Sequence, residues 1–88
     1  MNTPSVAEAG GDVFVAAVPK NKSEEVRIIL SRWKGYDLVH LRVFADAAGR
    51  PDRIATKSGF GIQVARLPDL IAALQAALVE ARARGMGQ

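Results

Sequence analysis

Aromatic rings and cations spaced two apart, on two short alternating stretches, are the groups in this chain best suited to do chemistry. Trp33 adjoins Lys34 at the end of the first stretch, and Arg42 and Phe44 share one parity in the second. Arg27 and His40 share the same side of the alternation. Rings offer flat surfaces on which unpaired bases stack, at about 1–3 kcal/mol per base, and cations track the phosphates between them. Every base has a π-face, so such a surface is indifferent to sequence. Duplex pairing hides those faces, so it prefers single strands. The competing reading makes Trp33 and Phe44 core residues that close the end of a sheet, and their exposure decides between the two. Phe60, between Gly59 and Gly61, is expected to be exposed, in a loop that also carries Lys57 and closes over one side. Lys20 and Lys22 belong to a loop at the rim of the same face.

Catalysis finds no footing. His40 is the single histidine, alternation places Asp37 on the opposite face, no carboxylate pair recurs on one element, and there is no cysteine. These facts exclude a disulfide framework, a thiolate metal site and a reactive thiol. We therefore expect a protein that is not an enzyme and that needs neither metal nor cofactor. SGFG lacks the spacing of a phosphate-cradling loop and reads as a connection.

The elements that must position these side chains follow from periodicity. In Glu25–Phe44 the residues Val26, Ile28, Leu30, Val39, Leu41 and Val43 alternate with the polar and aromatic set, as half-buried strands do. Gly35 supplies the positive φ that a tight hairpin needs. Asp12–Val18 reads as a first strand whose facing periodicity does not settle, and Pro19–Glu24 as a loop. Asp46–Arg53 is a turn, and Gly61–Ala65 a fourth strand. From Leu67 onward Leu70, Ile71, Leu74, Leu78 and Ala81 recur at helical spacing, with Pro68 in the first turn and Gly85 as a C-cap. The pattern is α+β: a four-stranded antiparallel sheet, then one helix. We expect that helix to cover one face of the sheet and leave the Trp33 and Arg42 face open. Residues 1–11 read as a mobile tail, 12–84 as one domain and 85–88 as a C-terminal tail.

Length and charge set the limits. A chain of 88 residues makes one small domain, and at that size only about 60% of the unfolded surface is buried, so a partner subunit would help. The net charge is +3. It concentrates between Pro19 and Arg66, where ten Lys or Arg stand against five Asp or Glu. A basic sheet region of this kind suits a polyanion. No apolar run approaches the ~20 residues of a membrane span, and the first residues lack the basic and apolar regions of a signal peptide. The expectation is a cytoplasmic protein without a membrane partner.

The segment from Lys22 to Leu78 resembles the C-terminal domain of the transcriptional coactivator positive cofactor four, and more closely its short bacterial relatives. The resemblance rests on Trp33-Lys34-Gly35, on Arg42 within LVHLRVF, on Gly49, and on the stretch from Thr56-Lys57 to Gly61-Ile62. It implies a curved four-stranded antiparallel sheet, a C-terminal helix and a homodimer that binds single-stranded DNA without strong sequence preference. By the same resemblance, Trp33 matches the stacking aromatic, Lys34 the basic residue after it, Arg42 the arginine of the third strand and Lys57 the lysine before the fourth. Tyr36 falls where relatives often carry a basic residue, and Ala45 where some carry an aromatic. SGFG makes the approach to the fourth strand about two residues longer than in relatives. The expected nucleic-acid contacts are Trp33, Lys34, Arg42, Lys57, Arg27, Tyr36, Phe44, Phe60 and Lys22. The leading expectation is an accessory factor of transcription or of replication and repair, nucleoid-associated if the chain is bacterial, with the transcription machinery as a candidate partner. Two alternatives use the same surface: an RNA-binding module, and a protein-interaction dimer without nucleic acid.

Overall fold

The computed structural model describes residues 11–87. All but Gly11 of the expected N-terminal tail lies outside that range. Four strands, β1 (Val13–Pro19), β2 (Glu24–Trp33), β3 (Tyr36–Ala45) and β4 (Ile54–Gln63), form one antiparallel sheet in the order of the chain. A 3-10 turn at Val64–Arg66 leads into helix α1 (Leu67–Ala83). The fold class is the expected one.

The central hairpin sets the two faces. β2 and β3 pair without irregularity from Glu24 opposite Ala45 to Trp33 opposite Tyr36. Val26, Ile28 and Leu30 meet Val43, Leu41 and Val39 on one face, whereas Arg27, Ile29 and Ser31 meet Arg42, His40 and Leu38 on the other. The turn is the dipeptide Lys34-Gly35, and both residues have positive φ, 50° and 82°. Left-handed conformations at both central positions match the right-handed twist of the strands they join. Gly35 accepts this at no steric cost. Lys34, the sole non-glycine with positive φ among the described residues, does not.

Each edge strand carries an irregularity. In β1 the register shifts between Phe14, opposite Ile29, and Ala16, opposite Ile28. One extra residue, Val15, lets Phe14 and Ala17 share the Arg27 face while Val13, Ala16 and Val18 share the Val26 face. In β4 the shift is larger: Ala55 lies opposite Phe44 and Gly59 opposite Arg42, so Thr56, Lys57 and Ser58 all face Val43. SGFG is therefore strand rather than connection, and β4 begins at Ile54 and ends at Gln63. The two residues that lengthen the approach are absorbed as this bulge. Thr56 braces it: its hydroxyl donates to the Val43 carbonyl at 2.8 Å and accepts from the Ser58 N–H at 3.1 Å. Gly59 is obligatory here, because its φ is 135° and a Cβ would stand 2.4 Å from the Leu41 carbonyl oxygen.

Helix α1 starts with Pro68 and Asp69 in its first turn, where a missing N–H is harmless and a carboxylate faces the positive end of the dipole. It ends in a Schellman motif, with Gly85 N–H donating to Arg82 O at 3.0 Å and Met86 N–H to Ala81 O at 2.8 Å. The helix does not lie over the sheet as expected. Its main packing is on the 3-10 turn, which in turn rests on β3. Among the described residues Val39 alone reaches full burial, at 1% exposure. The radius of gyration is 15.4 Å, against about 12 Å for a compact chain of this length. Among the described residues, the apolar stripe of α1 has no cover, with Ile71, Leu74 and Leu78 about half exposed, and the Val26 face is covered only in part, with Val39 buried but Leu30 and Phe60 exposed.

Candidate nucleic-acid interface

The most exposed aromatic pair of the sheet lies at the hairpin tip. Trp33 and Tyr36 stand directly opposite each other and are 59% and 53% exposed. A core role for Trp33 is ruled out by that exposure. The Lys34 ammonium lies over the Trp33 ring, 4.7 Å from its centroid, a cation–π distance. The strained left-handed turn sends the lysine back across the indole, so one side of the ring is faced by a charge and the rest by solvent.

Moving down the same face, His40 pairs with Gly61 and Arg42 with Gly59. Glycines on β4 leave room for the larger neighbours, since a Cβ on Gly61 would come within 2.8 Å of the His40 ring. His40 Nε2 is 2.8 Å from the Ser31 hydroxyl, which ties the ring to the sheet. Arg42 donates from Nη1 to the Thr56 carbonyl at 3.1 Å. The β4 bulge thus frees a carbonyl that fixes this guanidinium in place. Arg42 has no carboxylate partner among the described residues; neither do Lys22, Lys34 or Lys57. These four cations keep their charge available.

The far end of the face is built differently. Arg53 binds Asp46 through Nε at 2.8 Å, Glu25 through Nη1 at 2.9 Å and the Lys22 carbonyl through Nη2 at 2.9 Å. Glu25 also accepts from Arg27 Nε at 2.5 Å. Arg27 then lies over the Phe44 ring at 4.2 Å and nearer the edge of contact with Phe14 at 5.9 Å. Arg27, chiefly through its hydrogen bond, and Arg53 hold the Glu25 carboxyl below its ordinary value, against the opposing effect of burial. Asp46 holds the Arg53 guanidinium above its own. Glu24 is likewise lowered, first by Asn21 and then by Lys20, so Lys20 is spent within its loop while Lys22 is not.

Of the expected contacts, the structure brings Trp33, Lys34, Tyr36, Arg42, Arg27 and Phe44 onto one face. Lys57 is exposed in the β4 bulge, and Lys22 in the β1–β2 loop next to Arg53. Phe60 is a correction. It lies in β4 opposite Leu41, on the Val26 face, because a strand residue between two glycines that face Arg42 and His40 must point the other way. It closes over nothing on the Trp33 side. Two residues of this face lie outside the expected contacts. Phe14 belongs to a strand whose facing alternation does not settle, and the Val15 bulge is what turns it toward Arg27. Arg53 belongs by sequence to a turn, and no spacing of residue types signals its three partners.

No protein-family model matches the chain, and no curated protein is similar to it at a meaningful level. Among solved structures, the chain is similar to a PC4 homologue from Burkholderia pseudomallei in two crystal forms. The tetragonal form matches with a TM-score of 0.67 and 24% identity, covering 76% of this chain and 97% of that one. The orthorhombic form matches with a TM-score of 0.66 and 25% identity, covering 73% and 85%. Sheet, turn and helix together make this chain similar in fold to a bacterial PC4 homologue.

Proposed function

We propose that this protein binds single-stranded DNA without strong sequence preference, as a homodimer, and serves as an accessory factor in transcription or in replication and repair. The observation that carries the reading is the sheet face on which exposed Trp33 and Tyr36 share a surface with Lys34 and Arg42, neither of them paired with a carboxylate among the described residues. Likeness in fold to a PC4 homologue supports it. Lys57 and Lys22 extend the cationic track; Phe60 takes no part.

The dimer is supported by what the protomer leaves bare. Ile71, Leu74 and Leu78 form one exposed helical stripe, and among the described residues the Val26 face of the sheet is covered only in part, with Leu30 and Phe60 exposed. Burying a half-exposed aliphatic side chain stabilises by about 1 kcal/mol, half the value for full burial, and both surfaces together offer many such gains. A second copy of this chain supplies them symmetrically.

A competition experiment tests the function. Labelled oligothymidine bound to the protein should be displaced by unlabelled single strands and not by duplex of equal length. Equal displacement by duplex would contradict the proposal, and stronger displacement by matched RNA would move it to the RNA-binding alternative. Sedimentation should give the mass of two chains.

A further inference from the structure

We infer that Phe14 is a second base-stacking platform, one that holds a base without adding net charge; this rests on the single-strand-binding reading above. Three observations converge on it. Phe14 pairs with Ile29, which puts it on the same face as Trp33, and it is 59% exposed. The Val15 bulge produces that placement, as bulges do when they re-aim a side chain. Arg27 sits between Phe14 and Phe44 and is itself held by Glu25, which Arg53 holds in turn, Arg53 being paired with Asp46 as well.

The chain of ion pairs changes what Arg27 does. A guanidinium paired with a carboxylate is a poor phosphate ligand, because any approaching phosphate must displace or tolerate Glu25. Its planar group instead stiffens the aromatic cluster. Two cations, Arg27 and Arg53, face two anions, Glu25 and Asp46, so the cluster contributes no net charge. By register, Arg27 lies on the side of Phe14 away from Trp33, and the rest of the ring faces solvent.

Spacing fits a strand that runs along β2. Ile29 and Trp33 are four residues apart, about 13 Å at ~3.3 Å per residue. That is about four nucleotides at the ~3.4 Å per-strand repeat of a stacked chain, and fewer when the chain is extended. Ser31 lies between the two platforms on the same face, His40 is level with Phe14, and Arg42 is one pair beyond, opposite Arg27. A single strand could thus stack on Trp33, pass Ser31 and His40, stack again on Phe14 and reach the Arg42 guanidinium beyond it.

Trp33 is the only tryptophan, which allows a direct test. In the double variant Trp33→Phe, Phe14→Trp, all indole emission comes from position 14. Oligothymidine should quench it. Phe14→Leu, which keeps an apolar side chain and removes the π-face, should weaken oligothymidine binding about fivefold or more, the low end of the stacking range. Its salt slope should equal that of the wild type, and its sedimentation should be unchanged. The inference is overturned if the wild type binds while Phe14→Leu binds equally well and position 14 stays unquenched. It is also overturned if Phe14→Leu weakens binding only by changing the mass of the assembly, since Phe14 would then belong to a contact between copies. A wild type that binds no single strand ends the underlying reading as well, so the two failures are told apart.

Discussion

The two ends of the same sheet face use cations in opposite ways. At the hairpin tip, Lys34 has no carboxylate partner among the described residues, and the rings of Trp33 and Tyr36 are open; Arg42, though level with Arg27, is likewise unmatched and is held by the Thr56 carbonyl instead. At the far end, Arg53 and Arg27 are each matched to carboxylates, and Phe44 is half-buried beneath a guanidinium. Net charge alone does not distinguish these ends; pairing does. A cation already matched by a carboxylate builds the sheet, and one left unmatched is available to a ligand. The comparison predicts that changes in the framework alter stability with the salt dependence of binding intact. Changes at the tip should do the reverse.

The largest effect should come from Gly59→Ala in the framework. A Cβ would meet the Leu41 carbonyl at 2.4 Å in a backbone conformation that side chains resist. Strain of this sort costs about 1–3 kcal/mol from the backbone alone, with the clash added, and urea denaturation should register it. At the tip, Trp33→Ala should cost about 1–3 kcal/mol of single-strand binding while leaving the urea midpoint nearly unchanged, because an exposed indole contributes little to the core. A variant that lost stability and binding together would erase the distinction between the two ends.

Acid should act on the framework end. Glu25 titrates lower when folded than when unfolded, so the unfolded chain binds more protons as pH falls toward the ordinary glutamate value of 4.5. Stability held above that value is therefore lost as pH drops through the folded pKa. Glu25→Gln should flatten the acid limb of a thermal-melt series, and an unchanged limb would show that Glu25 is not coupled to folding.

The smallest effect sharpens the comparison most. Lys34 occupies a left-handed position that asparagine adopts more readily. Lys34→Asn should raise stability by about 0.5 kcal/mol, within the range of compatible turn substitutions. It should also reduce the magnitude of the salt slope by about 0.7, the share of one phosphate on a single strand. A turn that gains stability while binding loses charge dependence would show that the lysine is kept for its ligand.

How much of this was legible in the sequence depended on local regularity. The β2–β3 hairpin pairs without a break, so alternation gave both faces, the turn and the position of Trp33 relative to Arg42. Helix α1 was legible from its apolar spacing, Pro68 and Gly85. The edge strands were not, because one bulge reverses the parity on which alternation depends. Val15 concealed the facing of Phe14, and the Thr56–Ser58 insertion made a strand resemble a loop, misplacing Phe60. The helix's failure to cover the sheet was invisible for another reason: an amphipathic stripe says that a face wants burial, not whose surface will bury it. Arg53 depends on three groups brought together by the turn between β3 and β4 and the loop before β2, and no pattern of residue types announces that meeting.

The central claim is that unpaired bases lie against the indole of Trp33 and are held by unmatched cations. Trp33 emission measured during titration with oligothymidine, at two salt concentrations, addresses it most directly. The account predicts strong quenching, an affinity that falls with salt by about 0.7 in log–log slope per phosphate neutralised, and little response to duplex. Unchanged emission at saturating single strand, or equal quenching by duplex, would contradict it.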